Sequence, residues 1–281
     1  MRVTGYLFGL AVMCAPCVAA AKSPIDLENS VFEGDYVIVM AGLGYSPSHE
    51  GSDDYRVLPL AGVTGEVSGV NFTIRGPSLT VRLIETKVAP DVKVHLSPQL
   101  RYRGNRTGSI GDDVVAKLGK LDGVVEAGFR LGVNFDDLLS TADGLSVGVS
   151  TRWDVSGKGS GMVVTPSMTY RLPVSQAHAF GFLLSGQFVD GDYADYNYTI
   201  SPAGSLASGL PTFDAKGGFK RITAGLGTAR DLSGNALDGG FSVGVGVLYT
   251  RLIGSAAKTP ITSIRGDRNQ WLAAGGLAFI F

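Results

Sequence analysis

The chain is almost devoid of cysteine: Cys14 and Cys17 are its two thiols, and both lie within the first 21 residues. If that segment is removed, nothing remains to form a disulfide, a thiolate metal site or a cysteine nucleophile. Histidine is nearly as scarce, with three in the chain, so acid–base and metal chemistry have few carriers. Long apolar runs are missing too, since no stretch after residue 21 reaches the roughly 20 apolar residues of a membrane-crossing helix. Nor is there a surplus of positive charge. The 24 basic residues against 25 acidic ones argue against nucleic acid as a partner.

The first residues have the order of a secretory signal peptide: Arg2, an uncharged and largely apolar run from Tyr6 to Val18, then Ala19, Ala20 and Ala21. The run is about 13 residues, too short to span a bilayer. Cleavage after Ala20 or Ala21 is expected, giving a signal peptide at 1–21 and one mature domain at 22–281. A lipid anchor is disfavoured, because Met13 and Pro16 precede the cysteines where an acylated cysteine needs a small residue.

What the chain has in abundance is glycine, 40 residues, and apolar side chains, 44% of the sequence, at a mean hydropathy of +0.19. Both are woven into a period of two. Val125, Ala127, Phe129, Leu131, Val133 and Phe135 alternate with Glu126, Gly128, Arg130, Gly132 and Asn134. Leu145 to Trp153 and Phe241 to Tyr249 repeat the pattern. Such runs are strands with one apolar and one polar face. Most last about 9 to 13 residues, the length of tilted membrane strands rather than the 5 or 6 of soluble sheets. The fold expected is therefore all-β: a transmembrane antiparallel up-and-down β-barrel of about 12 strands, apolar side outward, in the outer membrane of a Gram-negative bacterium.

The strands expected are 35–45, 55–64, 68–75, 78–85, 91–103, 122–134, 144–155, 161–172, 178–190, 217–229, 239–252 and 270–281. From a periplasmic N-terminus, 104–121, 191–216 and 253–269 become extracellular loops, while 65–67, 86–90 and 173–177 become periplasmic turns. Ten strands is the alternative, because the connection at 76–77 is very short for the outer side. The last strand places Trp271, Ala273, Gly275, Leu277, Phe279 and Phe281 on one face, the pattern that the outer-membrane assembly machinery reads. That machinery and outer-membrane lipid are expected partners.

Three stretches carry a resemblance to a known family. Residues 42–60, GLGYSPSHEGSDDYRVLPL, contain Pro47, Gly51, Ser52, Asp53 and Tyr55 in a P-x-Y-x-G-S-D-x-Y-type loop, with His49 at the usually aromatic place. Residues 193–218 form a tyrosine-rich loop leading to Ser-Gly-Leu and then Gly-Gly. Residues 249–281 contain Leu252, Ser255-Ala256-Ala257, Pro260-Ile261 and an aromatic end. Together they resemble the MipA/OmpV family of outer-membrane proteins. Ser255 and Thr259 depart from that family's D-A-x-x-S-P-type run. The resemblance implies a non-enzymatic scaffold joining murein-degrading and murein-synthesising enzymes, or, as in other members, an adhesin or antigen. A periplasmic murein hydrolase or synthase is the partner this implies; its contacts are expected on the short periplasmic turns, of which 135–143 and 230–238 are the largest, together with the adjacent barrel rim. A small-solute channel stays open as another reading.

No catalytic, cofactor-binding or metal-binding residue is expected. His95 and Ser97 stand two apart on a strand, as base and nucleophile do in some outer-membrane esterases, but here that face points to the lumen rather than to lipid. Pro98 follows immediately, where a central strand tolerates proline poorly. Glu50, Asp53 and Asp54 read as a solvated turn rather than a Ca²⁺ loop, and His49 and His178 lack ligand partners at useful spacing. The lumen should hold Arg75, Arg82, Lys93, Arg101, Arg130, Arg152 and Arg171 against Glu126 and Asp154. That composition suits an anion-favouring pore or a salt-bridged, closed interior. The strand number, with no long lumenal plug, favours the closed one. Tyr193, Tyr196 and Tyr198 in the second long loop suit an outward binding surface.

Overall fold

The computed structural model describes residues 30–108, 110–140, 142–159 and 161–281. The expected signal peptide at 1–21 lies outside them. Nearly every alternating run becomes a strand. In order these are β1 (Tyr36–Pro47), β2 (Tyr55–Val67), β3 (Val70–Arg75), β4 (Ser78–Arg82), β5 (Ile84–Ala89), β6 (Val92–Arg103) and β7 (Val124–Asp136). They are followed by β8 (Gly144–Asp154), β9 (Met162–Ser175), β10 (His178–Val189), β11 (Gly218–Asp231), β12 (Gly240–Leu252) and β13 (Asn269–Ile280). Neighbours in sequence pair antiparallel, and β1 pairs with β13 to close the sheet.

Both β4 and β5 pair with β6, so they are halves of one strand and the barrel has twelve. That strand runs to Ala89, four residues past its expected end at 85. Its break has a chemical reason. Thr80 pairs with Gln99 and Ile84 with Leu96, which sets residues 81–83 against only 97–98. Pro98 can donate no ladder hydrogen bond, and a bulge is where a sheet accommodates proline. The ten-strand alternative fails at 76–77: Arg75 pairs with Ser78 across a true two-residue hairpin, with Gly76 at φ +50° supplying the left-handed turn.

Side chains alternate as expected. On β7, Phe129 and Leu131 are 55% and 58% exposed while Glu126 is 2% exposed, the reverse of a soluble core. Gly128 lies on the inner face, where an added Cβ would sit 1.9 Å from the Thr151 carbonyl oxygen. Adjacent strands can approach there only because glycine has no side chain. Tyr45, Tyr102, Trp153 and Trp271 ring one end of the barrel, with Phe241 and Phe281 at the other, all outward.

The buried apolar core lies at the end with the long connections. Five short helices fill those connections: α1 (Asp113–Ala116), α2 (Gly191–Tyr198), α3 (Pro202–Ser208), α4 (Gly254–Lys258) and α5 (Pro260–Ser263). Local sequence starts them. The Asp112 carboxylate accepts from the Val114 and Val115 amides, Asp190 accepts from Tyr193, and Ser201 accepts from Gly204 ahead of Pro202. One cluster joins Val163, Val189, Tyr193, Ala194, Tyr198, Leu252 and Ala256. A second joins Val115, Ile200, Leu210 and Ile261. The loops therefore fold together as a cap over the barrel mouth. The sequence predicts a closed interior without a long lumenal plug; that the loops themselves cover the mouth is not foreseen in it. At the other end the turns at 68–69, 90–91 and 176–177 are tight, and 137–143 and 232–239 are the larger ones.

Candidate functional site: a cap over a cationic cavity

The cap is stitched by residues distant in sequence. The Gly51 amide donates to Gln270 Oε1 at 3.0 Å, the Gln270 amide donates to the Ser52 carbonyl at 2.9 Å, and the Asp267 amide donates to the Gly51 carbonyl at 3.0 Å. Gly51 sits at φ +91°, and an added Cβ would lie 2.2 Å from Thr262 Oγ1, so both backbone and space demand glycine there. Thr259 Oγ1 donates to the Tyr198 carbonyl at 2.8 Å. Arg265 clasps Asp112 through two nitrogens at 2.6 and 2.9 Å, tying the first and third long loops together. The segments around Gly51, Tyr198 and Thr259 thus meet at one seam.

Beneath the seam lies an ionic layer. Glu50 Oε2 lies 2.9 Å from Lys220 Nζ and 3.3 Å from Arg221, and Glu50 Oε1 accepts from the Tyr198 hydroxyl. Burial alone would raise the Glu50 pKa, but Lys220, Arg221 and the Tyr198 hydroxyl outweigh it and hold the carboxyl at about 2. Tyr198 responds in the opposite direction, its pKa raised by burial and by the adjacent Glu50 charge. Lys220 and Arg221 both reach this point because β11 carries a bulge. Gln187 pairs with Arg221 and Phe188 with Phe219, leaving Lys220 as the extra residue. Lys220 also donates to the Tyr193 hydroxyl at 2.6 Å, and the Arg103 guanidinium lies 4.5 Å from the centre of the Tyr193 ring.

A second carboxylate completes the layer. Glu126 is held by Arg103 at 2.6 Å and by Arg152 at 3.2 Å. Arg103 also donates to Asn197 Oδ1 at 3.0 Å, which links the barrel wall to α2. These groups line a cavity of about 160 Å³. Toward the short-turn end the lumen widens into a vestibule of about 810 Å³ bordered by Arg75, Arg82, Lys93 and Arg171 with Glu66, Glu85 and Asp136. There Arg82 pairs with Glu85 at 2.6 Å and Lys93 with Asp136 at 3.2 Å.

Several sequence expectations change here. Glu50 does not belong to a solvated turn with Asp53 and Asp54; it is drawn into the lumen by charges on β11. Tyr193 and Tyr198 are each 3% exposed and are core residues of the cap, because their rings fill the space between α2 and the barrel. Tyr196 is partly buried and donates to the Asp122 carbonyl at 3.0 Å. Asp154 accepts from the Ser156 and Lys158 amides, shaping the turn after β8. His95 and Ser97 face inward and are buried, with Leu96 outward, as alternation requires. Among the described residues no hydrogen bond joins them, and His95 Nδ1 is buried without a hydrogen-bond partner. His178 contacts Thr228 Oγ1 at 2.6 Å, on the outward face, where Thr228 pairs with Val245. Sequence reasoning missed Glu50, Arg103, Asn197, Lys220 and Arg221. The polar positions near strand ends next to the long loops were the available signal.

A closed sheet with an apolar belt outside, polar groups inside and aromatic rings at both ends is built for lipid on its outer surface. Among the described residues no helix is long and apolar enough to cross a membrane, and the strands do the crossing. The class is an integral outer-membrane β-barrel; in such barrels the long connections lie at the extracellular end. Within it, the chain matches the family described as MltA-interacting protein MipA over residues 39–281, and it belongs to that family. No curated protein sequence matches the chain. Among solved structures, the NanC porin is similar at 10% identity and a TM-score of 0.53, over 86% of this chain and 98% of that one. The outer membrane channel DcaP of Acinetobacter baumannii aligns at 11% identity and a TM-score of 0.40, over 88% and 96%. The likeness to the NanC porin shows a shared fold.

Proposed function

We propose that this protein is a non-enzymatic, closed outer-membrane anchor that holds a murein-remodelling enzyme against the inner face of the membrane. The observation that carries this reading is the cap. A mouth filled by two apolar clusters and an ionic layer is organised for closure, which leaves the periplasmic rim as the face free to meet a partner. The description of the family as interacting with MltA supports the same direction. On that rim the turns 137–143 and 232–239 raise apolar side chains into solvent: Leu139 is 76% exposed and Leu232 60%. Asp143 accepts from the amides of Leu138, Leu139 and Ser140, and Asp231 from those of Ser233, Gly234 and Asn235. Turns held this firmly present their leucines at little entropic cost.

The test is capture of the purified murein hydrolase by the refolded barrel. Leu139→Ser together with Leu232→Ser should weaken capture at least tenfold, while replacement of 191–216 by a short linker should leave it intact. If capture survives the leucine changes and is lost with the cap, the rim is not the docking face and the anchor reading falls. A gated small-solute channel is the second reading, favoured by the charged vestibule of about 810 Å³. A surface adhesin is a third, and it would place binding on the cap.

A further inference from the structure

The cavity under the cap has an imbalance of charge. Five cationic side chains line it, Arg101, Arg103, Arg152, Lys220 and Arg221, against the two carboxylates Glu50 and Glu126. Each carboxylate is held between two cations: Glu126 between Arg103 and Arg152, and Glu50 between Lys220 and Arg221. Arg101 is the fifth cation. It makes no ion pair among the described residues, and its Nε is buried without a hydrogen-bond partner. An unsatisfied, partly dehydrated guanidinium among other cations is unfavourable unless an anion comes between them. Guanidinium groups also match the geometry of phosphate and carboxylate oxygens better than ammonium groups do. The Gln187 and Asn105 side chains line the same space and add neutral polar groups.

We propose that this cavity is a binding site for a small oxyanion of the phosphate class, held by Arg101 together with Arg152 and Arg221. The volume of about 160 Å³ accommodates one such ion and several waters and is too small for an oligosaccharide. The site joins the barrel wall to the cap, because Arg101 and Arg152 belong to β6 and β8 while Arg221 is tied to Glu50 in the connection between β1 and β2. A bound oxyanion therefore fastens the cap from below. The site does not depend on the identity of any periplasmic partner.

Full-length protein refolded in detergent is titrated with sodium phosphate in Hepes, with chloride holding ionic strength constant, and the unfolding midpoint is read by heat-dependent gel mobility and circular dichroism. The midpoint should rise saturably, by roughly 5 °C near saturation. Broadening of the ³¹P resonance of phosphate reports binding directly. Arg101→Gln should abolish both signals, since it removes the guanidinium whose Nε has no hydrogen-bond partner. Arg171→Gln, in the vestibule, should keep both. Should Arg101→Gln refold poorly, Arg101→Lys keeps the charge but loses the fork geometry, and it should weaken binding about tenfold. A midpoint that responds to phosphate no more than to chloride, a response that persists in Arg101→Gln, or one undiminished in Arg101→Lys overturns the site.

Discussion

At the scale of single residues, Glu50 decides how firmly the cap is attached. Its carboxylate is the counter-charge of Lys220, whose side chain is 3% exposed. Glu50→Gln leaves that ammonium buried without an anion, a change that costs about 3 kcal/mol, and the unfolding midpoint of the refolded protein should fall accordingly. The pH response follows from the same pairing. The folded carboxyl titrates at about 2, below its ordinary value of 4.5. Its contribution to stability is therefore complete above pH 4.5 and drains away as the pH falls from 4.5 toward 2. Near-ultraviolet circular dichroism of the cap tyrosines should decline across that window and stay comparatively flat in Glu50→Gln. Alternation along a strand was enough to put His95, Ser97 and Glu126 inside and Phe129 outside. It could not find Glu50, because the partners that define its role, Tyr198, Lys220 and Arg221, are remote in sequence and join it only when the sheet closes.

At the scale of elements, most strands were legible because lipid outside and water inside impose a strict period of two. The exceptions are instructive. The bulge opposite Pro98 and the bulge at Lys220 both insert a residue that local pattern cannot register, and the second aims two cations into the cavity. The long loops were legible in length and position but not in structure. Their helices are four to eight residues long, too short to stand alone in water, and they exist because Tyr193, Tyr198 and Leu252 pack around them. Glycine within the strands has a sharper role than composition suggested. Gly128→Val would drive a side chain into the Thr151 backbone, at a cost of about 3 kcal/mol, the upper end of overpacking penalties. The yield of folded, heat-modifiable protein should drop, whereas Val147→Leu on the lipid face should leave it unchanged.

At the scale of the whole molecule, closure of the mouth should be visible electrically. Intact protein in a planar bilayer should show no large, stable conductance steps at neutral pH, and replacement of 191–216 with a short linker should produce them. Anion-selective steps from the intact chain would instead support the channel reading. The ring itself has a temporal consequence. Its final seam joins residue 38 to residue 280, so the first strand cannot find its last neighbour until virtually the entire chain has been delivered. Throughout that interval β1 and β13 are bare edges, each offering unpaired amides and carbonyls to any other strand it meets. Contacts so far apart in sequence also form slowly. The circular design that removes every edge from the finished barrel thus obliges its precursor to travel with two of them exposed. The stage before closure is therefore the one at which this molecule is most open to edge-to-edge pairing.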